Sequence, residues 1–416
     1  MSLNLNNLCE KPIFIVGSPR SGSSILAYSL AAHDALWTSG ESHFLWRMFG
    51  GSHIERHFKV VKEWPGGSWL ADQNVSRSEL FESIGLGINA LFSSRSGGKR
   101  WIDQTPYYVY MLEQLGEMFP GAQFIHVLRD GREIVNSMIH YANALDEQSY
   151  GVHIGAGRLN WSRNFSEACR EWKSSVEAAL AYQKRCPDRM ITVRYDELCS
   201  EPEPTFSKLL NFLGLERDPR PAEYLRENRI NSSFPIGSAG KVCRVRSPRK
   251  LWLHWTEEKR QLFRELAGQM LVQLQMATPD ELDCVPAFLP LSDAAKASIP
   301  SGSAAIVVSD GDETILNLGN GRKASHFPQT PEGWFGGHPK NDAAAIELLA
   351  NQVDNGAMYL VIPDAADWWL DFYSGFASYL ASNCRLVWND ESGLVYRIGL
   401  STPRDEVNRT TVSQKS

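Results

Sequence analysis

The segment FIVGSPRSGSSIL, residues 14–26, constrains the fold more than any other part of the chain. An apolar run ends at Gly17, a short stretch of Gly and Ser follows, and a helical pattern begins near Ser23. This order predicts a buried strand, an anion-binding loop and a helix whose first N–H groups point at one spot. The spacing of Gly17 and Gly22 is that of a nucleoside-triphosphate loop, but Ser23 stands where its lysine would be. The segment therefore predicts a phosphate site and disfavours a nucleoside triphosphate.

A second segment, FIHVLRDGREIVNSMIHY at residues 124–141, has the same character. Arg129 follows an apolar strand-like run, and Ser137 lies eight residues further along. Ligands of open α/β sheets bind at the carboxyl ends of the strands, so two such ends with an arginine and a serine indicate two phosphate contacts. The alternative interpretation is a surface ion-pair cluster of Arg129, Asp130 and Arg132, which would contribute little.

The alternation of apolar and amphipathic runs from residue 12 to about residue 284 predicts an α/β fold, with a P-loop-like parallel β-sheet flanked by helices. Predicted strands are 13–16, 123–128 and 190–193, and a right-handed crossover would place the second beside the first. We expect a first domain at 1–285, a linker rich in Pro, Ala and Ser at 286–302, a small second α/β domain at 303–400 and a flexible tail at 401–416. In the second domain we expect a helix at 368–383, whose Trp368 and Trp369 would be buried in the core of that domain.

Composition narrows the functional classes. The net charge of -6 disfavours nucleic-acid binding, and no apolar run is long enough to predict a membrane span. The first residues do not resemble a signal peptide, so the expected location is cytoplasmic. Seven scattered cysteines fit reduced thiols, and the ten histidines form no known metal pattern, so we expect no metal site. His126, within the apolar run FIHVL, is expected to be a core residue.

Together the two segments resemble the sulfotransferases that use 3′-phosphoadenosine-5′-phosphosulfate (PAPS), particularly the bacterial and tyrosyl-protein branches. The resemblance covers roughly residues 12–275. It implies that the loop holds the 5′-phosphosulfate, and that an arginine followed eight residues later by a serine binds the 3′-phosphate. The loop residues implied are Arg20, Ser21, Gly22, Ser23 and Ser24, and the pair implied for the 3′-phosphate is Arg129 and Ser137.

Two further segments extend this resemblance. Gly40-Glu41-Ser42 is similar to the segment that carries the catalytic base, which implies that role for Glu41. The segment VRYDELCSEPEPTFSKLLNFLGL is similar to one that lines the adenine pocket, which implies that role for Tyr195. Relatives often have lysine where this chain has Arg20 and Gln104. A late segment that folds over the 3′-phosphate in the family is matched here by a pool of basic residues, Lys241, Arg244, Arg246, Arg249 and Lys250.

The resemblance implies in-line transfer of a sulfuryl group from PAPS to an acceptor hydroxyl, with Glu41 as general base and Arg20 stabilising charge on the departing phosphate. The expected acceptor is a small molecule or a glycan, such as a saccharide or glycolipid, and the loops 53–67 and 145–161 would recognise it. No metal is required. Two alternatives stay open, a nucleotide-dependent kinase with a degenerate loop and a non-enzymatic nucleotide-sensing protein. A homo-oligomeric state also stays open.

Overall fold

The computed structural model describes residues 8–50, 53–144, 164–228, 252, 255–283, 291–309, 313–319, 322–331, 333–390 and 392–399. The chain divides into two compact units, Met1–Val285 and Pro286–Ser416. Within the described ranges, no helix combines the length and the apolar character needed to cross a membrane. The candidate site lies in the first unit.

A five-stranded parallel sheet forms the centre of the first unit, in the order β2-β3-β1-β4-β5. Its strands are β1 (Ile13–Gly17), β2 (Leu36–Thr38), β3 (Arg100–Gln104), β4 (Gln123–Leu128) and β5 (Met190–Arg194). The predicted pairing of β4 with β1 is confirmed, with Phe14 opposite Phe124. Since β1 is central, the loop that follows it lies among the carboxyl ends of the neighbouring strands.

Helices cover the sheet, which confirms the predicted fold class. The helices up to β5 are α1 (Ser23–Leu30), α2 (Phe44–Phe49), α3 (His53–Lys62), α4 (Trp69–Asp72), α5 (Arg77–Ser93), α6 (Leu112–Met118), α7 (Gly131–Ala144) and a helix at Phe165–Arg185. Those after β5 are Tyr195–Ser200, Pro202–Leu213, Arg220–Glu227, Glu257–Phe263, Gln269–Gln273 and Pro279–Asp283, with a π-helical turn at Arg264–Gly268. Short 3₁₀ helices lie at Pro106–Met111 and Pro187–Arg189.

The two faces of β1 contact two separate apolar cores. Phe14 and Val16 pack into one rich in aromatic side chains, and Ile13 and Ile15 pack into the other, with Leu26 of α1. This alternation follows from the two-residue period of a strand. A strand buried on both faces forms a rigid base for the loop at its end.

The second unit contains a five-stranded mixed sheet in the order β7-β6-β8-β10-β9. Its strands are β6 (Ala304–Val307), β7 (Lys323–His326), β8 (Tyr359–Pro363), β9 (Cys384–Asp390) and β10 (Gly393–Ile398). Its helices are Leu291–Ser298, Asp342–Asp354, Trp368–Phe372 and Ser374–Asn383, with 3₁₀ turns at Glu313–Leu316 and Asp364–Ala366. Trp368 and Trp369 are buried, as predicted. The second α/β sheet predicted from the sequence is therefore present.

Three sequence predictions of local structure are wrong. The segment predicted as a linker contains the helix Leu291–Ser298, because Leu291, Ala295 and Ile299 pack into the core of the second unit. The segment 53–67, predicted as a loop, begins with α3, whose Ile54 packs against the core. The helix predicted at 368–383 is two helices, because the backbone leaves the helical conformation at Tyr373. The predicted acceptor loop at 145–161 lies outside the described residues.

Candidate functional site

The loop between β1 and α1 depends on two glycines. Gly17 has a φ of 150°, and a Cβ there would lie 2.7 Å from the carbonyl oxygen of Val127 on β4. Gly22 has a φ of 98°, and a Cβ there would lie 2.4 Å from the ring of Tyr195. Both positions require glycine for the backbone conformation and for the close approach. Arg20 itself has a φ of 72°, a conformation that is uncommon for residues other than glycine.

The loop and the segment after β4 are in direct contact. Arg20 Nε donates to Ser137 Oγ on α7 at 3.2 Å. Arg129 Nη1 donates to the backbone oxygen of Arg20 at 3.2 Å. The two arginines predicted from separate segments therefore belong to one site, which brings their positive charges together at the carboxyl ends of β1 and β4.

Tyr195 and Glu133 surround Arg129. The guanidinium carbon of Arg129 lies 4.6 Å from the centre of the Tyr195 ring, a cation–π distance. Its Nε donates to Glu133 Oε2 at 3.0 Å. Burial raises the pKa of Glu133 to about 7, although the nearby charge of Arg129 acts in the opposite direction. An anion that binds Arg129 would therefore have to displace the Glu133 carboxylate or share the guanidinium with it.

Glu41 lies on the other side of the loop, linked to it through Gln104. Gln104 Nε2 donates to Ser23 Oγ at 3.0 Å and to Glu41 Oε1 at 3.1 Å. The second carboxylate oxygen of Glu41, Oε2, is 2.9 Å from Nε2 of His43. The Glu41 side chain is 31% exposed, so it can meet a molecule from solvent.

A buried polar cluster fixes the segment that carries Glu41. Asp103 accepts hydrogen bonds from Ser42 Oγ at 2.5 Å and from Thr105 Oγ1 at 3.0 Å, and Ser42 Oγ is 2.6 Å from Tyr108 Oη. Burial raises the pKa of Asp103 to about 6, and these hydrogen bonds oppose the rise. The cluster fastens the residue after Glu41 to β3, which limits how far the Glu41 side chain can move.

The remaining predicted residues divide into three groups. Ser21 is buried, and Ser24 follows Ser23 in the first turn of α1. Asp130 pairs with Arg132 at 2.7 Å, whereas Arg129 turns to the loop, so the three do not form the alternative surface cluster. The basic pool from Lys241 to Lys250 lies outside the described residues.

His43 was missed by the sequence prediction, and its position two residues after Glu41 is the signal that could have suggested it.

Histidines and acidic residues give no metal arrangement within the described ranges, where no group of three or more His, Cys, Asp or Glu is suitably placed. His126 is buried on β4, as predicted, and its Nδ1 is 3.2 Å from Thr192 Oγ1. Burial lowers the pKa of His126 to about 4, so its ring is neutral near pH 7. It serves as a core side chain under the site.

Comparison with known proteins now adds to this geometry. A model of the Sulfotransferase family matches residues 12–219, half of the chain, a range that contains Arg20, Glu41, Arg129, Ser137 and Tyr195 but not the basic pool from Lys241 to Lys250. The chain belongs to the sulfotransferase family. The match ends within the first unit, so it covers the parallel sheet and its site but not the second unit.

Several curated members of the family resemble this chain. Protein-tyrosine sulfotransferase 1 of Danio rerio is 24% identical over 204 residues, which is 49% of this chain and 53% of that protein. Protein-tyrosine sulfotransferase A of Caenorhabditis elegans is 25% identical over 212 residues, 50% of each protein. The chain therefore spans about half the length of these relatives.

Solved structures give the following matches. The sulfotransferase domain from the curacin biosynthetic pathway is 21% identical, with 65% of this chain and 99% of that chain covered and a TM-score of 0.39. A mouse sulfotransferase, SULT7A1, complexed with PAP, is 17% identical, with 67% and 89% covered and a TM-score of 0.35.

Proposed function

We propose that this member of the sulfotransferase family transfers the sulfuryl group of PAPS to an acceptor hydroxyl. The observation that carries the proposal is the contact of Arg129 with the backbone of Arg20, beside a glycine and serine loop that follows a central strand. We infer that one doubly phosphorylated nucleotide contacts both arginines. The proposal makes PAPS a co-substrate and requires no metal ion.

The donor side of the site suits an anion. Two buried hydroxyls of the loop, Ser18 Oγ and Ser21 Oγ, have no hydrogen-bond partner among the described residues. A buried hydroxyl that lacks a partner costs free energy, and a shift of the loop on binding would be needed to bring it to a phosphosulfate oxygen. We assign Arg20, Ser21, Gly22, Ser23 and Ser24 to the 5′-phosphosulfate.

The second phosphate is assigned to the segment after β4. Arg129 and Ser137 would contact the 3′-phosphate, and Tyr195 would line the adenine pocket. Arginine is suited to this role because its planar guanidinium can donate two parallel hydrogen bonds to a phosphate. Arg20 Nε already contacts Ser137, so the two phosphate contacts form one continuous donor surface.

The acceptor side supplies the base. As the new oxygen–sulfur bond forms, the acceptor hydroxyl loses its proton to Glu41, and the bond from sulfur to the phosphate oxygen breaks. Arg20 neutralises the charge that develops on the departing phosphate. Gln104 holds Glu41 and Ser23 at a fixed separation, so the base and the donor loop are aligned before the substrates arrive.

The acceptor is proposed to be a small molecule or a glycan, with a saccharide or glycolipid hydroxyl as the first class to examine. The cytoplasmic location and a homo-oligomeric state stay predictions. The kinase alternative requires ATP to bind, although the loop offers no lysine for a γ-phosphate.

Transfer of a radiolabelled sulfuryl group tests the proposal. The full chain is incubated with labelled PAPS and three acceptor probes, 2-naphthol, methyl β-glucoside and 1-octanol, and product is measured by chromatography. Adenosine 3′,5′-bisphosphate (PAP) and ATP are compared in a thermal shift assay. We expect label in at least one acceptor and stabilisation by PAP but not by ATP. Stabilisation by ATP alone, with no labelled product, would favour the kinase alternative.

A further inference from the structure

The carboxylate of Glu41 is held from two sides by groups of different chemistry. Oε1 accepts from the neutral amide of Gln104, whereas Oε2 faces the imidazole of His43 at 2.9 Å. An amide can hold a carboxylate but cannot take a proton from it, whereas a neutral imidazole can. Gln104 can therefore orient Glu41, whereas His43 can exchange a proton with it.

His43 owes its position to the backbone around it. Its φ of 56° is unusual for a residue other than glycine, and its N–H points at Thr105 Oγ1 at 3.4 Å. The preceding residue, Ser42, is fastened to buried Asp103. An unfavourable backbone conformation persists where surrounding contacts fix it, and here it turns the imidazole toward Glu41. The His43 side chain is 52% exposed, so its ring is also open to water.

From this geometry we infer that His43 acts in the transfer reaction through Glu41: its neutral ring receives from Oε2 the proton that Glu41 takes from the acceptor hydroxyl. The inference rests on the proposed function and deepens it, because it replaces a single base by a Glu41–His43 pair.

In one turnover the proton moves from the acceptor hydroxyl to Glu41, then to His43 and then to water. The acceptor O–H bond breaks as the oxygen–sulfur bond forms, and the proton goes to Glu41. The sulfur–oxygen bond to the phosphate breaks with its electron pair on PAP. Because imidazole is more basic than a carboxylate, the proton then moves from Glu41 to Nε2 of the His43 tautomer that carries its hydrogen on Nδ1, and leaves a Glu41⁻–His43⁺ ion pair. Water removes the proton from the exposed ring before the next turnover.

A role for His43 in proton transfer makes the transfer rate depend on pH. The hydrogen bond to Glu41 raises the pKa of His43 most, the charges of Glu41 and Asp103 also raise it, and burial and Arg47 lower it, with a net rise above 6.5. The pair can accept a proton when His43 is neutral, so the rate should fall as the pH drops through this raised pKa. A base made of Glu41 alone would not depend on the protonation state of His43.

The decisive measurement is the pH dependence of kcat/KM in the wild type and in His43→Gln, with labelled PAPS and the probe acceptor that reacts fastest. We expect the acid limb of the wild type above pH 6.5, and in His43→Gln a limb at lower pH with a maximal rate about tenfold lower. Affinity for PAP should change little. Addition of imidazole to His43→Gly should restore part of the rate, since the site is open to solvent.

The control is Glu82→Gln, which removes an exposed titratable side chain of α5 and should leave the profile unchanged. An NMR titration gives a second readout that needs no acceptor, because the pKa of the His43 ring should fall in Glu41→Gln. Transfer with an acid limb that does not move in His43→Gln, together with no imidazole rescue, would overturn the inference and leave the proposed function intact. If the wild type neither binds PAP nor labels any acceptor, the proposed function itself fails and the pair has no reaction to serve.

Discussion

The two sides of the candidate site are built in different ways. On the donor side, Arg20 and Arg129 bring positive charge to a loop whose two glycines permit close packing against Val127 of β4 and the ring of Tyr195. On the acceptor side, Glu41 is held by one neutral amide and one imidazole above a buried polar cluster. We infer from this contrast that the donor side supplies binding energy and the acceptor side accepts a proton. Gln104 is the side chain that links the two.

The largest effect should come from removing the proposed base, Glu41. Glu41→Gln keeps the shape of the side chain but cannot take a proton, so kcat should fall at least about a hundredfold. The Kd for PAP should stay within about twofold of the wild type, since the donor side is unchanged. Calorimetry with PAP and steady-state rates with labelled PAPS measure the two quantities. A near-normal kcat would remove Glu41 as the base and erase the difference between the sides.

Arg129→Ala should act on binding. The substitution removes a guanidinium assigned to the 3′-phosphate, and charge-assisted hydrogen bonds contribute about 1.5–3 kcal/mol each, so the Kd for PAP should rise about tenfold or more. Arg170→Ala, which removes an exposed arginine paired with Glu167, is the matched control and should leave binding unchanged. Equal affinities in the two variants would show that the 3′-phosphate binds elsewhere.

The sequence predicted the local structure around Arg20 and Arg129 better than the local structure around Glu41. The loop after β1 and the Arg129–Ser137 spacing have signatures within one short segment each, because a helix N-terminus and a strand end form locally. In β3, buried Asp103 and Gln104 interrupt the apolar pattern, so this strand was not predicted. The link from Gln104 to Glu41 joins residues 63 positions apart, and such a contact depends on the tertiary fold. The three-residue β2 and the polar β7 were missed because they lack an apolar run.

Gln104→Met tests whether the two sides need their link. Methionine has a similar length but no hydrogen-bond donor, so Ser23 and Glu41 each lose a hydrogen bond. Gln104 is 1% exposed, so water cannot easily replace its amide. We expect kcat to fall about tenfold while the Kd for PAP changes less, because alignment of the base matters more to the transition state. Equal losses in affinity and in kcat would assign Gln104 to donor binding instead. Thermal unfolding of the variant controls for a change in stability.

The smallest expected effect is a gain in affinity. Glu133 occupies Arg129 Nε in the structure, and burial already raises its pKa to about 7. A phosphate beside Arg129 would repel this carboxylate and favour its protonated form, so PAP should bind more weakly as the pH rises from 7 to 8.5. Glu133→Gln should flatten this dependence and bind PAP about threefold more tightly at pH 8.5. Glu167→Gln, an exposed carboxylate paired with Arg170, serves as the control. Weaker binding by Glu133→Gln at every pH would mean that Glu133 orients Arg129 rather than competing with the donor.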